Sequence, residues 1–163
     1  IEIRSFNRIS EKFGDKVHVN VTSYNMKALL TGEVPDEGIK AELEKAIAGV
    51  INVKGVTNEV TVGGISSFSA RSNDTYITSK VKARFIDANK FQVNHVKVVT
   101  EAGVVFLLGL VTQAEADAAV EIARTTGGVQ KVIRVFEIIS PEQARAIDSA
   151  VTGRQDARPA PKN

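Results

Sequence analysis

The sequence predicts an α+β protein in which two small modules of one fold follow each other. The first observation is an internal repeat, because residues 18–46 and 95–123 are identical at nine aligned positions. The second is that each copy has the same order of helical and alternating apolar patterns. The third is length, since 163 residues suffice for two modules of about 70 residues each.

The first module is predicted over residues 1–62 and begins with an amphipathic helix over residues 2–13. This helix has apolar residues at helical spacing: Ile3, Phe6, Ile9 and Phe13. Alternation of apolar and polar residues over 17–21 predicts the first strand, and a turn leads into a second strand ending at Val34.

A second helix and a third strand complete this module. Asp36 follows Pro35 and is the expected N-cap of the helix. The buried stripe of the helix is predicted to be Ile39, Leu43, Ala46 and Val50. The third strand is marked by Val56, Val60 and Val62. The module therefore has the order helix, strand, strand, helix, strand.

Residues 63–72 are rich in Gly and Ser and are predicted to be a linker between the modules. The second module, residues 73–139, repeats the order of the first. Asn73 or Asp74 is the expected N-cap of its first helix, which extends to Ala88. Further elements are expected in this order: strands 95–100 and 104–111, helix 113–126 and strand 129–138.

The chain is predicted to end with an extra helix and a disordered tail. Residues 140–143, with sequence SPEQ, supply an N-cap, a proline at the first helical position and a glutamine that completes the cap. This helix is expected over residues 140–152. Residues 153–163 contain Gly153, Pro159 and Pro161, and are expected to be disordered.

The connections predict how the strands of each module are arranged. A tight turn makes the first two strands antiparallel, whereas the helical crossover makes the third strand parallel to the second. Each module should therefore have a mixed three-stranded sheet packed on two helices. The second strand is the most apolar of each module and should lie in the centre.

The sheet faces that point away from the helices differ between the modules. The first module has mostly polar residues on this outer face: Thr22, Leu29, Thr31, Glu33, Thr57 and Glu59. The second has six apolar residues at the same positions: Val99, Phe106, Leu108, Leu110, Ile133 and Val135. Exposed patches of this size are uncommon on monomers, so something should cover the apolar face.

The expected cover is the first module or the C-terminal helix, through Ala144, Ile147 and Val151. A homodimer or a client protein would be the other occupants of this face. Polar residues on the first module's outer face are expected to tolerate further charge. On this basis Thr31→Glu should be nearly neutral, while Leu108→Glu should be destabilising.

Composition and motifs do not indicate catalysis. The net charge of +2 predicts no nucleic-acid partner, and the absence of cysteine excludes thiolate chemistry within the chain. His18 and His95 occupy the same position in the two modules, which indicates a structural role. No spacing of histidines and carboxylates predicts a metal site, and no motif predicts a cofactor. We therefore expect no enzyme, no catalytic residue, no metal and no cofactor.

The first helix of the second module has a composition suited to a lipid surface. Helical spacing places Tyr76 beside the core stripe, on an outward face, and basic residues follow it. An aromatic ring can enter the headgroup layer while basic groups meet anionic phosphates. The candidate lipid-binding residues are Tyr76, Ser79, Lys80, Lys82, Ala83 and Arg84. The alternative is a tyrosine packed on the linker beside ordinary solvated lysines.

Two sequence stretches make the chain resemble a known family. These are residues 72–81, SNDTYITSKV, and residues 105–112, VFLLGLVT. With the repeated Leu30-Thr31-Gly32 and Leu107-Leu108-Gly109, they resemble the bacterial osmotic-stress and nodulation (BON) domain. Within it, the chain is similar to the dual-BON lipid-binding lipoproteins associated with cell division and outer-membrane stress. The resemblance covers residues 15–139 and is strongest over residues 72–139.

That resemblance implies a periplasmic protein that supports outer-membrane integrity. It implies an N-terminal lipid anchor in the inner leaflet of the outer membrane, on a cysteine upstream of Ile1. It further implies binding of anionic phospholipids, phosphatidylglycerol and cardiolipin, through the first helix of the second module, with envelope proteins as further partners. The lipid-binding aromatic falls on Tyr76, where Trp is more usual. The alternative function is that of a periplasmic chaperone or protein-binding module.

Overall fold

The computed structural model describes residues 1–64 and 68–156 of the chain. Its first module contains two helices and a mixed sheet: α1 Glu2–Phe13, β1 His18–Tyr24, β2 Lys27–Val34, α2 Glu37–Ala48, β3 Gly55–Asn58 and β4 Thr61–Val62. The remaining elements belong to the second module and the C-terminal helix: α3 Phe68–Ala88, β5 Lys97–Glu101, β6 Val104–Val111, α4 Gln113–Arg124, β7 Lys131–Ile138 and α5 Pro141–Asp156.

The two modules have the predicted topology. Strand β2 lies between β1, which is antiparallel to it, and the parallel pair β3 and β4. Strand β6 likewise lies between antiparallel β5 and parallel β7. The predicted third strand of the first module is divided into β3 and β4, and Val60 between them is buried in the module's core. The α+β class and the tandem arrangement are confirmed.

A close backbone approach explains why the repeat keeps glycine at two equivalent positions. Gly32 has φ +119°, and a Cβ atom there would lie 2.0 Å from the carbonyl oxygen of His18. Gly109 has φ +155°, and its Cβ atom would lie 2.1 Å from the carbonyl oxygen of His95. No side chain fits at such distances, so the strand pair requires glycine at both sites.

Each module has its own apolar core between the sheet and its helices. In the second module Ile77, Val81 and Phe85, at helical spacing on α3, form a core stripe that is at most 1% exposed and packs on the sheet. In the first module Leu43 and Ile47 of α2 join a core with the inner face of β2. Helix α1 follows its prediction only in part: Ile9 and Phe13 are buried, whereas Ile3 and Phe6 are exposed.

The first module covers the apolar outer face of the second, as expected. Leu29, Phe106 and Leu108 form one buried cluster between the two sheets. Tyr24 of the first module packs against the same cluster, together with apolar residues of β5, β6 and β7. Helix α5 extends the cover, because its Ala144 and Ile147 adjoin Leu110. The side chain of Val151 lies outside the described residues.

Docking also buries the polar outer face of the first module, and this contradicts the expectation that it tolerates charge. Thr31 is 0% exposed, and Thr22 and Glu33 are nearly as deeply buried. The hydroxyl of Thr31 has no hydrogen-bond partner among the described residues. The prediction that Thr31→Glu is neutral is therefore wrong, because a charge at this position would have to leave water.

Helix α3 begins at Phe68, earlier than the predicted cap at Asn73 or Asp74, so the expected linker over residues 63–72 is partly helical. Asp74 has a different role inside this helix. Its carboxylate accepts hydrogen bonds from the amides of Ala102 and Gly103 at 2.8 and 2.9 Å, and so binds the β5–β6 turn.

The C-terminal helix is also longer than predicted. Helix α5 continues to Asp156, so residues 153–156 of the expected disordered tail are helical. The predicted start is confirmed in detail, since Ser140 Oγ accepts from the amide of Gln143 and Gln143 Oε1 accepts from the amide of Ser140. Residues 157–163, the rest of the expected tail, lie outside the described residues.

Candidate functional site

Helix α3 separates a buried face from an exposed one, and this division positions the candidate site. Its core stripe faces the sheet and α4, while Tyr76 is 62% exposed one residue before buried Ile77. The alternative, a tyrosine packed on the linker beside solvated lysines, stays a prediction, because residues 65–67 of the linker lie outside the described residues. An amphipathic aromatic in this position has its ring available to a partner.

Three more of the predicted residues are exposed on α3: Ser79, Lys82 and Ala83. Ser79 donates from its hydroxyl to the carbonyl of Thr75 at 3.1 Å, within the helix. The structure adds Ile86, which is 63% exposed and lies one turn after Ala83. Ile86 directly follows the core residue Phe85 and was not among the predicted site residues. An isoleucine outside the core stripe of an amphipathic helix nevertheless indicates exposed apolar surface.

Lys80 connects the exposed face of α3 with the loop that follows α4. Its ammonium group donates to the carbonyl of Gly127 at 2.5 Å. The same Nζ atom lies 4.7 Å from the centroid of the Tyr76 ring, within cation–π range. Lys80 is therefore half-buried and orients the Tyr76 ring, while its charge remains close to the exposed surface.

Arg84 binds the C-terminal end of α4. One guanidinium nitrogen donates to the carbonyl of Ile122 at 2.6 Å and to the hydroxyls of Thr125 and Thr126 at 3.1 and 2.8 Å. A cation is favourable at a helix C-terminus, where carbonyl groups lack partners within the helix. This side chain joins α3 to α4, a structural role that the sequence did not reveal.

The six predicted residues are thus on one helix but do not form one uniform surface. Tyr76, Ser79, Lys82 and Ala83 are exposed, whereas Lys80 and Arg84 turn toward the end of α4. None of the helices in the described part of the chain is long and apolar enough to cross a membrane.

The fold and this site define a protein of two docked α+β modules, with an aromatic and a basic residue exposed on α3. The family model of the BON domain matches residues 7–64 and residues 73–140. The chain therefore belongs to the BON-domain family, with two copies of the domain. Both matches agree with the two modules of the structure.

Several known proteins are similar to the chain. The outer membrane lipoprotein DolP of Haemophilus influenzae is 42% identical over 121 residues, which are 74% of this chain and 63% of DolP. The 21 kDa hemolysin of Actinobacillus pleuropneumoniae is 35% identical over 77% of this chain and 64% of its own length. The osmotically-inducible protein Y of Escherichia coli is 32% identical over 70% of this chain and 58% of its own length. The chain thus spans less than two thirds of each of these relatives.

Proposed function

We propose that this chain is a non-enzymatic envelope protein that binds anionic phospholipid through the exposed face of α3. The observation that carries the proposal is the exposed ring of Tyr76 beside a buried core stripe, with basic groups on the same helix. The relative that is 42% identical is named an outer membrane lipoprotein, which supports a location at that membrane.

The exposed face has the two components that an interfacial helix requires. Tyr76 and Ile86 offer apolar surface of more than half exposure each, and they lie on the same side of α3 as Ala83. Lys82 is exposed next to them. An aromatic and an isoleucine would enter the headgroup layer, while the lysine would meet anionic phosphates at about 1 kcal/mol per basic group near the surface.

The contacts of Lys80 add to this arrangement. Because its ammonium lies over the Tyr76 ring, the ring is held at one edge of the exposed face and the charge lies beside it. We propose phosphatidylglycerol and cardiolipin as the lipids, since both carry the negative charge that a basic surface selects. Tyr in place of the more usual Trp implies weaker insertion.

The proposed location follows from the same family. We propose a periplasmic protein held at the inner leaflet of the outer membrane by a lipid on a cysteine upstream of Ile1. In that place it would support envelope integrity under stress and at the division site, together with envelope proteins. A signal sequence that ends in a cysteine, in the full-length gene, would support this placement, and a leaderless gene would contradict it.

The alternative function, a chaperone or protein-binding module, relied on the apolar outer face of the second module. Phe106 and Leu108 of that face are 3% exposed because the first module covers them. A client protein could reach them only after the modules separate. The structure therefore offers this alternative less support than the exposed face of α3 offers lipid binding.

Vesicle sedimentation tests the proposal. Protein should sediment with vesicles that contain phosphatidylglycerol or cardiolipin and remain in solution with phosphatidylcholine alone. Binding should weaken with salt, because charges at an exposed surface are screened beyond about 8–10 Å at physiological ionic strength. Equal sedimentation with both vesicle types would contradict the headgroup preference.

A matched pair of variants tests the position of the site. Tyr76→Ala should reduce vesicle binding, whereas Phe6→Ala should not, although Phe6 is an aromatic of similar exposure, 65% against 62%. Phe6 lies on α1 of the first module and serves as a control for nonspecific loss of exposed aromatic surface. Equal loss in both variants, or loss in Phe6→Ala alone, would place the lipid site elsewhere.

A further inference from the structure

A second cluster of chemically active groups lies at the edge of the interface between the modules. His18 and Glu33 are paired across β1 and β2, and their side chains lie on the outer face of the first sheet. Glu101 ends β5 of the second module and faces them, with its Oε1 atom 4.0 Å from Nε2 of His18. One nitrogen and two carboxylate oxygens from the three residues lie within 4.8 Å of one another.

Glu33 lacks the partner that a buried carboxylate needs. It is 8% exposed, and its Oε2 atom has no hydrogen-bond partner among the described residues. An ionised carboxylate in such a position is strongly unfavourable unless a cation or several donors compensate it. Glu33 is the residue paired with His18 across the two strands, so its unpartnered oxygen points to a cation bound between them.

Glu101 adds a second negative charge to the cluster. Burial, together with the charges of Glu33 and Asp74, raises the pKa of Glu101 to about 7, while Asn20 and Arg71 act in the opposite direction. The Asp74 carboxylate, which accepts hydrogen bonds from the β5–β6 turn, is a further acid beside Glu101. The cluster therefore contains two carboxylates, Glu33 and Glu101, against one imidazole, His18.

We propose that His18, Glu33 and Glu101 bind one divalent transition-metal ion, with Zn²⁺ as the preferred ion. Imidazole and carboxylate together form a ligand set that Zn²⁺ accepts, whereas Mg²⁺ and Ca²⁺ prefer oxygen ligands alone. Among the common divalent ions, Zn²⁺ also binds such nitrogen and oxygen sites more tightly than Mn²⁺ or Fe²⁺. Ligand atoms about 2.0–2.2 Å from the ion require only a small closure of these side chains.

The ion would join the two modules, because two ligands belong to the first and one to the second. A cleft of about 250 Å³ adjoins the cluster and is lined by His18, Asn20, Arg71, Asp74, Thr75, Thr78, Thr100 and Glu101. It gives an ion and its water ligands a path from solvent. Binding would hold the docked arrangement together and so stabilise the buried interface next to it.

The internal repeat supplies a matched control. His95 is the equivalent of His18, but the residue that corresponds to Glu33 is the apolar Leu110 of β6. The Nε2 atom of His95 lies 3.4 Å from Asp148 of α5 instead. The second module thus has the equivalent histidine but no equivalents of Glu33 and Glu101. Substitution of His95 should therefore not affect binding of the ion.

The test is titration of chelator-treated full chain with ZnCl2, followed by calorimetry and by thermal unfolding. We expect one Zn²⁺ per chain and a higher melting temperature that EDTA reverses. We expect Zn²⁺ affinity to fall by about 100-fold in each of His18→Asn, Glu33→Gln and Glu101→Gln. Loss of a residue that only supports a metal ligand already lowers affinity by about 10–100-fold, so loss of a direct ligand should reach the upper end of that range. His95→Asn should bind Zn²⁺ like the parent, and MgCl2 should cause no comparable shift.

Glu101→Gln keeps the test independent of folding. In EDTA this variant should melt at the parent temperature or above it, because it removes a like charge from Glu33, yet it should lose the response to Zn²⁺. The proposal is overturned if the parent binds no Zn²⁺, if Glu101→Gln binds it as tightly, or if His95→Asn loses as much affinity as His18→Asn. An equal response to MgCl2 would overturn the assignment to a transition metal.

Discussion

Leu29 of the first module and Leu108 of the second lie in one buried cluster, at 0% and 3% exposure. Leu29 is the apolar residue on an outer face that otherwise carries threonine and glutamate, and Leu108 is near the centre of the apolar face that it meets. The two modules are therefore joined as a sandwich of sheets, in which one face is apolar and the other is mixed.

This interface predicts that charge is unfavourable on both of its sides. Leu108→Glu should lower the free energy of unfolding by at least about 2–5 kcal/mol, the range for loss of a buried leucine. Thr31→Glu should also be clearly destabilising, because Thr31 is fully buried. Val62→Glu is the control, since Val62 is 45% exposed at the end of β4. Urea unfolding would contradict the docked arrangement if Thr31→Glu matched the control.

The two faces of α3 predict opposite effects of two aromatic truncations. Phe85→Ala should lower the free energy of unfolding by about 3–5 kcal/mol, because Phe85 is fully buried and packs edge-on against Phe91 at 4.9 Å. Tyr76→Ala should leave the melting temperature nearly unchanged and reduce vesicle binding. Thermal unfolding and sedimentation on both variants test this. If Tyr76→Ala unfolded the protein, Tyr76 would be a core residue.

Arg84 and Lys82 differ in role although they are only two residues apart in the sequence of α3. Arg84→Ala should lower the free energy of unfolding by about 1.5–3 kcal/mol, because a charged donor is lost from the end of α4. Lys82→Ala should leave stability within about 0.5 kcal/mol of the parent and weaken binding to anionic vesicles. Chemical denaturation measures the first effect. The result would contradict the structure if both variants were equally stable.

The glycines of the repeat predict a steep loss of stability. Gly32→Ala and Gly109→Ala should each destabilise their module by more than about 3 kcal/mol, since the added Cβ would lie about 2 Å from a carbonyl oxygen. Gly64→Ala is the control, because no described residue lies within 4 Å of its Cβ position. Circular dichroism with urea on the three variants would show the difference. A tolerated Gly32→Ala would mean that β1 and β2 can move apart.

The ion pair between Lys27 of the first module and Glu137 of the second should affect how stability falls at acid pH. Hydrogen bonds from Lys27 and Asn25 lower the pKa of Glu137 below its usual 4.5. Its contribution is present above the unfolded pKa and is lost as the pH falls through the lower folded pKa. The fall in melting temperature below pH 4.5 should be shallower in Glu137→Gln. Glu142→Gln, which pairs within α5, should keep the parent profile.

The order of elements and both cores could be predicted because their signals are local. The stripe of Ile77, Val81 and Phe85 follows from a spacing of 3.6 residues, and the central position of β2 and β6 follows from their apolar sequences. The start of α3 was missed because Asp74 resembles a cap but binds a turn formed about 30 residues later.

Only the part of the candidate site that depends on local signals could be predicted. Exposure of Tyr76 follows from its helical phase, which the sequence contains. The contacts of Lys80 and Arg84 do not, because their acceptors belong to the end of α4, more than one element away along the chain. Long basic side chains reach several ångströms, so the neighbours that they meet depend on how the helices pack.

By itself the sequence determined the repeat, the α+β modules and the apolar face that had to be covered. Only the tertiary structure decided what covers that face, how deeply Thr31 and Glu33 are buried, and that His18, Glu33 and Glu101 meet. The physical reason is that backbone periodicity acts over a few residues, whereas docking of two sheets depends on the summed fit of side chains from distant parts of the chain.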